Sequence, residues 1–436
     1  MSGGLMSLIL VHVLGCRSSL YEGEFIANEL ILHGHEITDD IKSNFNAAVI
    51  VTCSVTSEAD KKCRQIIRRV KRSLNDKGVL AVCGCWSEKI DPVQAQELGI
   101  NILTGSRHKN ILPGILDGYI KNDCKKFLDL RTEFNNNNHE WEELKISKPV
   151  IHSRAFIKIQ DGCDHFCTYC IIPFLRGRPV SRPVNNVIEE VKQVISNGAQ
   201  EIILTGIHLG LYGRDFGGSL ADLINALSKL NIKRLRMGSL EPFCLDENLL
   251  SALKNCESFC RHLHLPLQSG DDEILKSMRR GYTSCEFIKL CDRARDILGD
   301  ELHISSDIMI GFPGETEKNF NNTLQTMRDS NFGRVHIFPY SERAGTLAVN
   351  FSDKVSEQIK SIRKNQALEL GRELLNNYAS KFIGHDVKIL IENNSKGYTE
   401  NYIEAVILKE LNKINKNEIY TLKAVNMREG VLECVQ

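Results

Sequence analysis

The sequence predicts an α/β protein in three parts: an N-terminal parallel α/β domain, a central partial (β/α)6 barrel, and a small C-terminal antiparallel β-barrel. Three observations carry that expectation. Short apolar runs, partly β-branched, alternate with helix-like stretches before residue 121. The same alternation resumes at Ala155 and continues to Phe338. After Gly384 the pattern changes to short strands alone. The boundaries read as 1–121 for the first domain, 122–150 for a linker, 151–370 for the barrel and 371–436 for the last domain. A chain of 436 residues fits two to four domains, at roughly 150 residues each.

Taken in order, the first strand candidates are Leu8–Leu14, Ala47–Val51, Val79–Val82 and Ile102–Leu103, with helix candidates such as Glu22–Leu32 and Ala59–Leu74 between them. Strands alternating with helices make a parallel layer. Asn122–Lys148, with its Asn135–Asn138 run, has no apolar periodicity and reads as a flexible connection. The central strands are Ala155–Ile159, Glu201–Thr205, Arg234–Ser239, His262–Leu267, His303–Ile310 and Arg334–Phe338. Helix candidates between them include Leu220–Leu230, Ser284–Ile297, Glu315–Asp329 and Val184–Ser196. In the last of these Val187, Ile188, Val191, Val194 and Ile195 share one face before Gly198. Such units place a site at the carboxyl ends of the strands. A long helix, Val355–Phe382, precedes the strands Asp386–Glu392, Tyr402–Leu408, Glu418–Ala424 and Val431–Cys434.

Lys plus Arg and Asp plus Glu number 55 each, so bulk charge does not announce nucleic acid, and any RNA contact must come from local basic patches. Fifteen cysteines, an odd count spread over a long chain, argue against a disulfide scaffold and for a reducing compartment. The sequence shows no signal segment and no apolar run near the ~20 residues of a membrane span. These features predict a cytoplasmic protein without a membrane partner.

Cys163, Cys167 and Cys170 stand in the run Cys163-Asp164-His165-Phe166-Cys167-Thr168-Tyr169-Cys170, just after the first central strand. That spacing supplies three thiolates to an iron–sulfur cluster that needs four ligands, and leaves one iron open to a small molecule. A zinc site is the competing reading, but zinc motifs pair two CxxC units or add histidines. Neither occurs here, and His165 lies inside the loop. Cys16, Cys53 and Cys85 each follow one of the first three strands. The carboxyl ends of parallel strands share one edge, so these thiols can form a second three-cysteine cluster site. Gly15 and Gly84 let the backbone turn closely there. Ordinary buried cysteines are the alternative, and Cys83 is an example.

On these residues the chain resembles the radical S-adenosylmethionine (SAM) methylthiotransferase family over nearly its full length. The matching runs are Gly162-Cys163 through Pro173 with Arg176-Gly177-Arg178, Leu204-Thr205-Gly206-Ile207, Leu240-Glu241-Pro242, Leu265–Gly270, Gly311–Thr316 and Phe338–Ser341. The resemblance implies two 4Fe–4S clusters and SAM as cofactors, with Cys163, Cys167 and Cys170 holding the SAM-cleaving cluster and Cys16, Cys53 and Cys85 the auxiliary one. It implies SAM contacts at Tyr169, Thr205, Gly206 and Glu241, no catalytic residue beyond the clusters, and a radical that removes a hydrogen before sulfur and a methyl group are added. It also implies a TRAM-like RNA-binding domain at the C-terminus, a tRNA anticodon stem-loop as partner, and an electron donor such as flavodoxin or ferredoxin.

Among the branches of that family, Thr205–Gly210 with Tyr212-Gly213, Leu14-Gly15-Cys16 and Phe338–Thr346 look like the branch acting on N6-threonylcarbamoyladenosine at position 37 of tRNA. The alternatives are N6-isopentenyladenosine at the same position and a ribosomal-protein aspartate. Ser19 and Val51 stand where the family usually has asparagine.

Lys61, Lys62, Arg64, Arg68, Arg69, Lys71 and Arg72 crowd one helix and read either as phosphate contacts or as a solvated face. Arg176, Arg178 and Arg182 are candidates for RNA or for the SAM carboxylate. Tyr169 is read against the adenine of SAM or as a shield for the cluster. His208 and His264 read as packed, hydrogen-bonded histidines.

Overall fold

The computed structural model describes residues 6–75, 77–131, 140–393, 395–408 and 414–436. The chain divides into two compact units, Met1–His165 with Cys170–Asn197, and Phe166–Tyr169 with Gly198–Gln436. The Asn135–Asn138 run lies outside the described residues.

The first unit is built on β1 (Leu8–Val13), β2 (Glu36–Thr38), β3 (Ala47–Thr52), β4 (Val79–Gly84), β5 (Ile102–Leu103) and β6 (Leu128–Asp129), in the order β2-β1-β3-β4-β5-β6. Every pairing is parallel. All residues of β3 and β4 are buried, as strands covered on both faces require. The helices are α1 (Arg17–Leu32), α2 (Ser57–Ser73), α3 (Pro92–Glu97) and α4 (Leu112–Lys121). In α2 the buried stripe Cys63, Ile67, Val70 follows the helical period. Its N-cap Thr56 accepts from the Ala59 amide, and Glu58 and Asp60 lie in the first turn with Lys71 and Arg72 in the last, as the helix dipole favours.

The unit also holds β7 (Ala155–Lys158), the two-stranded antiparallel pair β8 (Gln160–Asp161) and β9 (Val180–Ser181), α5 (Ile172–Arg176) and α6 (Val184–Ser196). Segment 122–150 is structured where described. It contributes β6, and Leu144 and Ile146 are buried. Polar groups of α1 fasten its end to the sheet layer: Glu24 accepts from the amides of Val150 (2.8 Å), Ile151 (3.0 Å) and His152 (2.8 Å), and Asn28 from Ser147 (3.1 Å). This tethering needs no apolar periodicity, which is why the sequence reads as a free connection.

The second unit carries β10 (Ile202–Thr205), β11 (Leu235–Met237), β12 (His262–His264), β13 (His303–Ile310) and β14 (Arg334–Pro339). β10 pairs with β11, and β12 with β13 and β13 with β14, all parallel. Single parallel bridges at Leu235–Phe259 and Ser239–His264 join β11 to the β12 side. Five of the expected central strands thus lie in this unit and the first, β7, in the other. The intervening helices are α7 (Leu220–Leu227), α8 (Glu247–Asn255), α9 (Asp272–Met278), α10 (Ser284–Leu298) and α11 (Glu317–Asp329). Capping boxes at Thr283–Glu286 and Thr316–Asn319 set the starts of α10 and α11.

After α12 (Glu357–Ala379), five strands close a barrel: β15 (Asp386–Asn393), β16 (Lys396–Thr399), β17 (Glu404–Ile407), β18 (Ile419–Arg428) and β19 (Val431–Val435), ordered β15-β16-β17-β19-β18. Its pairings are antiparallel except that of β17 with β19. Val387, Ile389, Ile391, Ala405, Ile407, Leu422, Ala424 and Leu432 fill it, and Tyr378 and Phe382 close one side. This barrel covers the amino ends of the parallel strands. Arg234 donates to the carbonyls of Lys388 (2.6 Å) and Tyr398 (3.1 Å), and Arg236 to that of Glu400 (3.2 Å). Arg236 also pairs with Glu201 (3.0 Å) and lies 4.5 Å from the Tyr402 ring centroid.

Candidate cluster sites and their surroundings

In the first unit Cys16, Cys53 and Cys85 sit just beyond the carboxyl ends of β1, β3 and β4, which are neighbours in the sheet. Adjacent strands lie about 4.8 Å apart, so three thiols on one sheet edge span a distance that suits a cluster. Burial pushes the Cys53 thiol up to about 12, and the charges Cys85 and Cys16 would carry push the same way. Among the described residues, the group of His, Cys, Asp and Glu whose ligand atoms all lie within 4.8 Å is His264, Asp307 and His336, on β12, β13 and β14.

The backbone around these thiols is shaped by two glycines. Gly15 has φ +143°, and a Cβ there would lie 3.2 Å from the Cβ of Cys53. Gly84 has φ +104°, and a Cβ would fall 2.4 Å from the Thr52 carbonyl oxygen. That oxygen accepts from the Cys85 amide at 3.1 Å, so Gly84 lets the turn present Cys85. A Gly84→Ala variant is expected to lose about 1–3 kcal/mol of stability, read as a lower urea midpoint at unchanged slope. Ser19, where the family usually has asparagine, is buried with Oγ 3.7 Å from Cys16 Sγ. Cys83 is fully buried inside β4.

Five buried or largely buried charges stand behind this edge. Glu22 Oε1 lies 2.8 Å from Lys158 Nζ and 2.9 Å from Arg176 Nη1, and Glu22 Oε2 lies 3.5 Å from Lys109 Nζ. Asp161 pairs with Lys158 (2.6 Å) and Arg176 (3.1 Å). Arg176 Nε points at Cys85 Sγ over 3.2 Å. Composition and periodicity do not reveal this group. The local signal is Lys158 inside an otherwise apolar strand. Of the three arginines read as RNA or SAM contacts, Arg176 and Arg182 are instead buried in ion pairs, Arg182 with Glu143 and Glu190. Arg178 is exposed.

The cysteine loop starts from Gly162, whose φ of +73° brings its α-carbon against the Arg178 carbonyl; a Cβ there would meet that oxygen at 2.0 Å. The Cys163 amide donates to the Gly177 carbonyl at 3.0 Å. Cys163 and Cys170 belong to the first unit, and Cys167 to the stretch Phe166–Tyr169 held by the second. There the Thr168 amide donates to the Met278 carbonyl (3.2 Å), and the Thr168 carbonyl accepts from the Ala348 amide (2.8 Å).

Tyr169 packs with Phe312, Tyr340, Met278 and Met309, its ring edge-on to Phe312 at 6.4 Å. Thr205 is buried at the end of β10, followed by Gly206. Glu241 forms a forked ion pair with Arg280, whose Nη1 lies 3.5 Å from Cys167 Sγ. His264 is bonded to Ser305 (2.9 Å) and Asp307 (3.2 Å), and His208 packs on Phe243. The basic side chains of α2 project from the face opposite its buried stripe; Lys61, Lys62, Arg68, Arg69 and Arg72 are exposed.

The Radical SAM superfamily model matches residues 157–327, and that of Uncharacterized protein family UPF0004 matches residues 8–105. The chain is 34% identical to Threonylcarbamoyladenosine tRNA methylthiotransferase MtaB of Bacillus subtilis (strain 168), covering 92% of this chain and 90% of that protein. It is 32% identical to the protein of the same name from Rickettsia prowazekii (strain Madrid E), over 97% and 96%. It is also 32% identical to tRNA-2-methylthio-N(6)-dimethylallyladenosine synthase of Methylacidiphilum infernorum (isolate V4), over 95% and 90%. Among solved structures the fold is similar to that of the radical S-adenosylmethionine methyltransferase TsrM from Kitasatospora setae, with TM-score 0.53, 13% identity, and coverage of 77% of this chain and 72% of that one.

Proposed function

Because the chain belongs to the radical SAM methylthiotransferase family, we propose that it attaches a methylthio group to C2 of N6-threonylcarbamoyladenosine at position 37 of tRNA. The observation that carries the reading is near-full-length similarity to threonylcarbamoyladenosine methylthiotransferases from several bacteria, joined to two sets of three cysteines. Its cofactors are 4Fe–4S clusters and SAM, which supply the one-electron chemistry that an unactivated ring carbon demands. Cys163, Cys167 and Cys170 are the proposed ligands of the SAM-cleaving cluster, and Cys16, Cys53 and Cys85 those of the auxiliary one. Three protein ligands leave one iron of each cluster open. Tyr169, in its aromatic pocket, is proposed to lie along the adenine of SAM, with Thr205 and Gly206 at the same strand edge. Glu241, already paired with Arg280, is proposed to meet SAM from a fixed position.

The substrate is tRNA, whose anticodon loop offers the unstacked bases that RNA-recognising proteins favour. The exposed basic face of α2 is proposed to contact phosphate. Charge reversal at Arg68, Arg69 and Arg72 is expected to weaken tRNA binding and to flatten its salt dependence by roughly one unit of slope per lost contact. Filter binding across a salt series checks this, and unchanged binding returns the helix to a solvated face. Electrons are proposed to come from a small carrier such as flavodoxin or ferredoxin, and the working compartment is proposed to be the cytoplasm. Among the described residues no helix is long and apolar enough to cross a membrane.

The two cluster sites separate by variant. Cys85→Ala is expected to abolish sulfur insertion while leaving reductive SAM cleavage measurable, and Cys83→Ala, inside the strand, is expected to be nearly silent in both assays. The substrate assignment is tested by supplying tRNA bearing either the threonylcarbamoyl or the isopentenyl modification and analysing nucleosides by mass spectrometry. A dimethylallyladenosine synthase matches almost as well as the first relative, 32% against 34%. Methylthiolation of the isopentenyl substrate alone would therefore move the enzyme to that branch.

A further inference from the structure

Arg176 has little freedom. It is 1% exposed, and Nη1 is shared between Glu22 Oε1 at 2.9 Å and both oxygens of Asp161 at 3.1 Å. Nη2 reaches Glu22 Oε2 at 3.4 Å. With the planar fork so fixed, the direction of Nε–H is fixed too, and it ends on Cys85 Sγ at 3.2 Å. A neutral thiol is a weak acceptor for a buried, charge-assisted donor, whereas a thiolate is a strong one.

The charges around it lead to the same place independently. The network holds three cations, Lys109, Lys158 and Arg176, against two carboxylates, Glu22 and Asp161. Lys109, Glu22 and Arg176 have fully buried side chains. Within the network one positive charge is in excess, and an excess buried charge is costly unless a counter-charge meets it. The member nearest a sulfur aims its free N–H at Cys85.

We propose that Arg176 is a positioning residue for the auxiliary cluster, delivering an N–H donor and the network's excess positive charge to the Cys85 sulfur and so raising that cluster's reduction potential. The inference rests on the assignment of Cys16, Cys53 and Cys85 as cluster ligands. Hydrogen bonds to ligand sulfurs and local charge are among the levers by which a protein sets such a potential. A donor beside the sulfur favours the reduced, more negative state, so its loss lowers the potential.

The test uses the full-length chain with Cys163, Cys167 and Cys170 replaced by Ala, so that the auxiliary cluster is the one reconstituted. In that background Arg176→Lys keeps the charge but removes the fork. The pair Arg176→Leu with Asp161→Asn removes one cation and one anion together, as a second route should the lysine variant fold poorly. Iron content and an electron-paramagnetic-resonance redox titration are read for each. The expected result is retained iron with a midpoint shifted to more negative potential. The same Arg176→Lys change, placed on a chain lacking Cys16, Cys53 and Cys85, is expected to leave the other cluster's midpoint where it was. An auxiliary midpoint unmoved in both Arg176 variants would overturn the inference. A background chain that binds no iron even with Arg176 intact would overturn the cysteine assignment itself, and this inference with it.

Discussion

Replacing Cys163, Cys167 and Cys170 together by Ala is expected to remove about half of the iron bound after anaerobic reconstitution, since one of two like clusters is lost, together with all reductive cleavage of SAM. The effect is all-or-none because the proposed ligands are the attachment of that cluster, and the open iron is where SAM would bind. The loop itself has other anchors. Gly162 and the Gly177 carbonyl fix its start, and Thr168 is held through the Met278 carbonyl and the Ala348 amide. The triple variant should therefore fold, which circular dichroism would establish. Iron and sulfide analysis with an assay for 5′-deoxyadenosine provide the check. A triple variant with its full iron content would show that the cysteines have been assigned to the wrong role.

A Glu22→Gln variant should be the most destabilised of the single variants considered. Removing one partner of a buried ion pair costs about 3–5 kcal/mol, because it strands the opposite charge without water. Here Glu22 faces Lys158, Arg176 and Lys109 at once. Burial opposes the charge on Glu22, but Arg176, then Lys109 and Lys158, outweigh it and hold the carboxyl down to about 2. A depressed carboxyl contributes its stability fully above the ordinary value of 4.5 and loses it as pH falls toward 2. The gap in urea midpoint between the original apoprotein and the Gln variant should thus be widest near neutral pH and close between pH 4.5 and 2. A gap that is constant with pH would show that Glu22 acts by shape rather than by charge.

How much of the fold is legible in the sequence depends on the range of the forces involved. Strands such as Ala47–Thr52 and Val79–Gly84 are apolar runs, and their neighbours in the chain are enough to identify them. β16, with sequence Lys-Gly-Tyr-Thr, has no such run; it is a strand because β15 and β17 pair with it, and Gly397 admits the Leu390 carbonyl, which a Cβ would meet at 2.0 Å. α9 is too short for periodicity to show, and its start is set by Asp271 accepting from the Glu273 and Ile274 amides.

The candidate site divides in the same way. The thiols of the proposed auxiliary site are readable because each comes just after a strand, whereas Cys83 is set apart from Cys85 by lying inside β4. The charges behind them are not readable. Glu22, Lys109, Lys158, Asp161 and Arg176 are scattered along the first unit, and only the fold brings them to one place. The same blindness makes Arg182 look like a candidate for RNA when it is committed to Glu143 and Glu190.

The C-terminal barrel has a consequence for the order in which the chain can be completed during synthesis. Arg234 and Arg236 leave the ribosome long before their acceptors, the carbonyls of Lys388, Tyr398, Thr399 and Glu400, which come 154 to 164 residues later. His303 likewise waits for the carbonyl of Asn401. Until then the amino ends of β11 and β13 are an unfinished surface carrying cations that the mature protein keeps from water. All six proposed cluster cysteines have been made by that stage. A nascent chain can therefore hold every proposed cluster thiol while one mouth of its parallel sheet still stands open, and residues 388–401, translated later, act as its stopper. Truncation before Gly384 would not simply subtract the small barrel; it would leave that early state permanent.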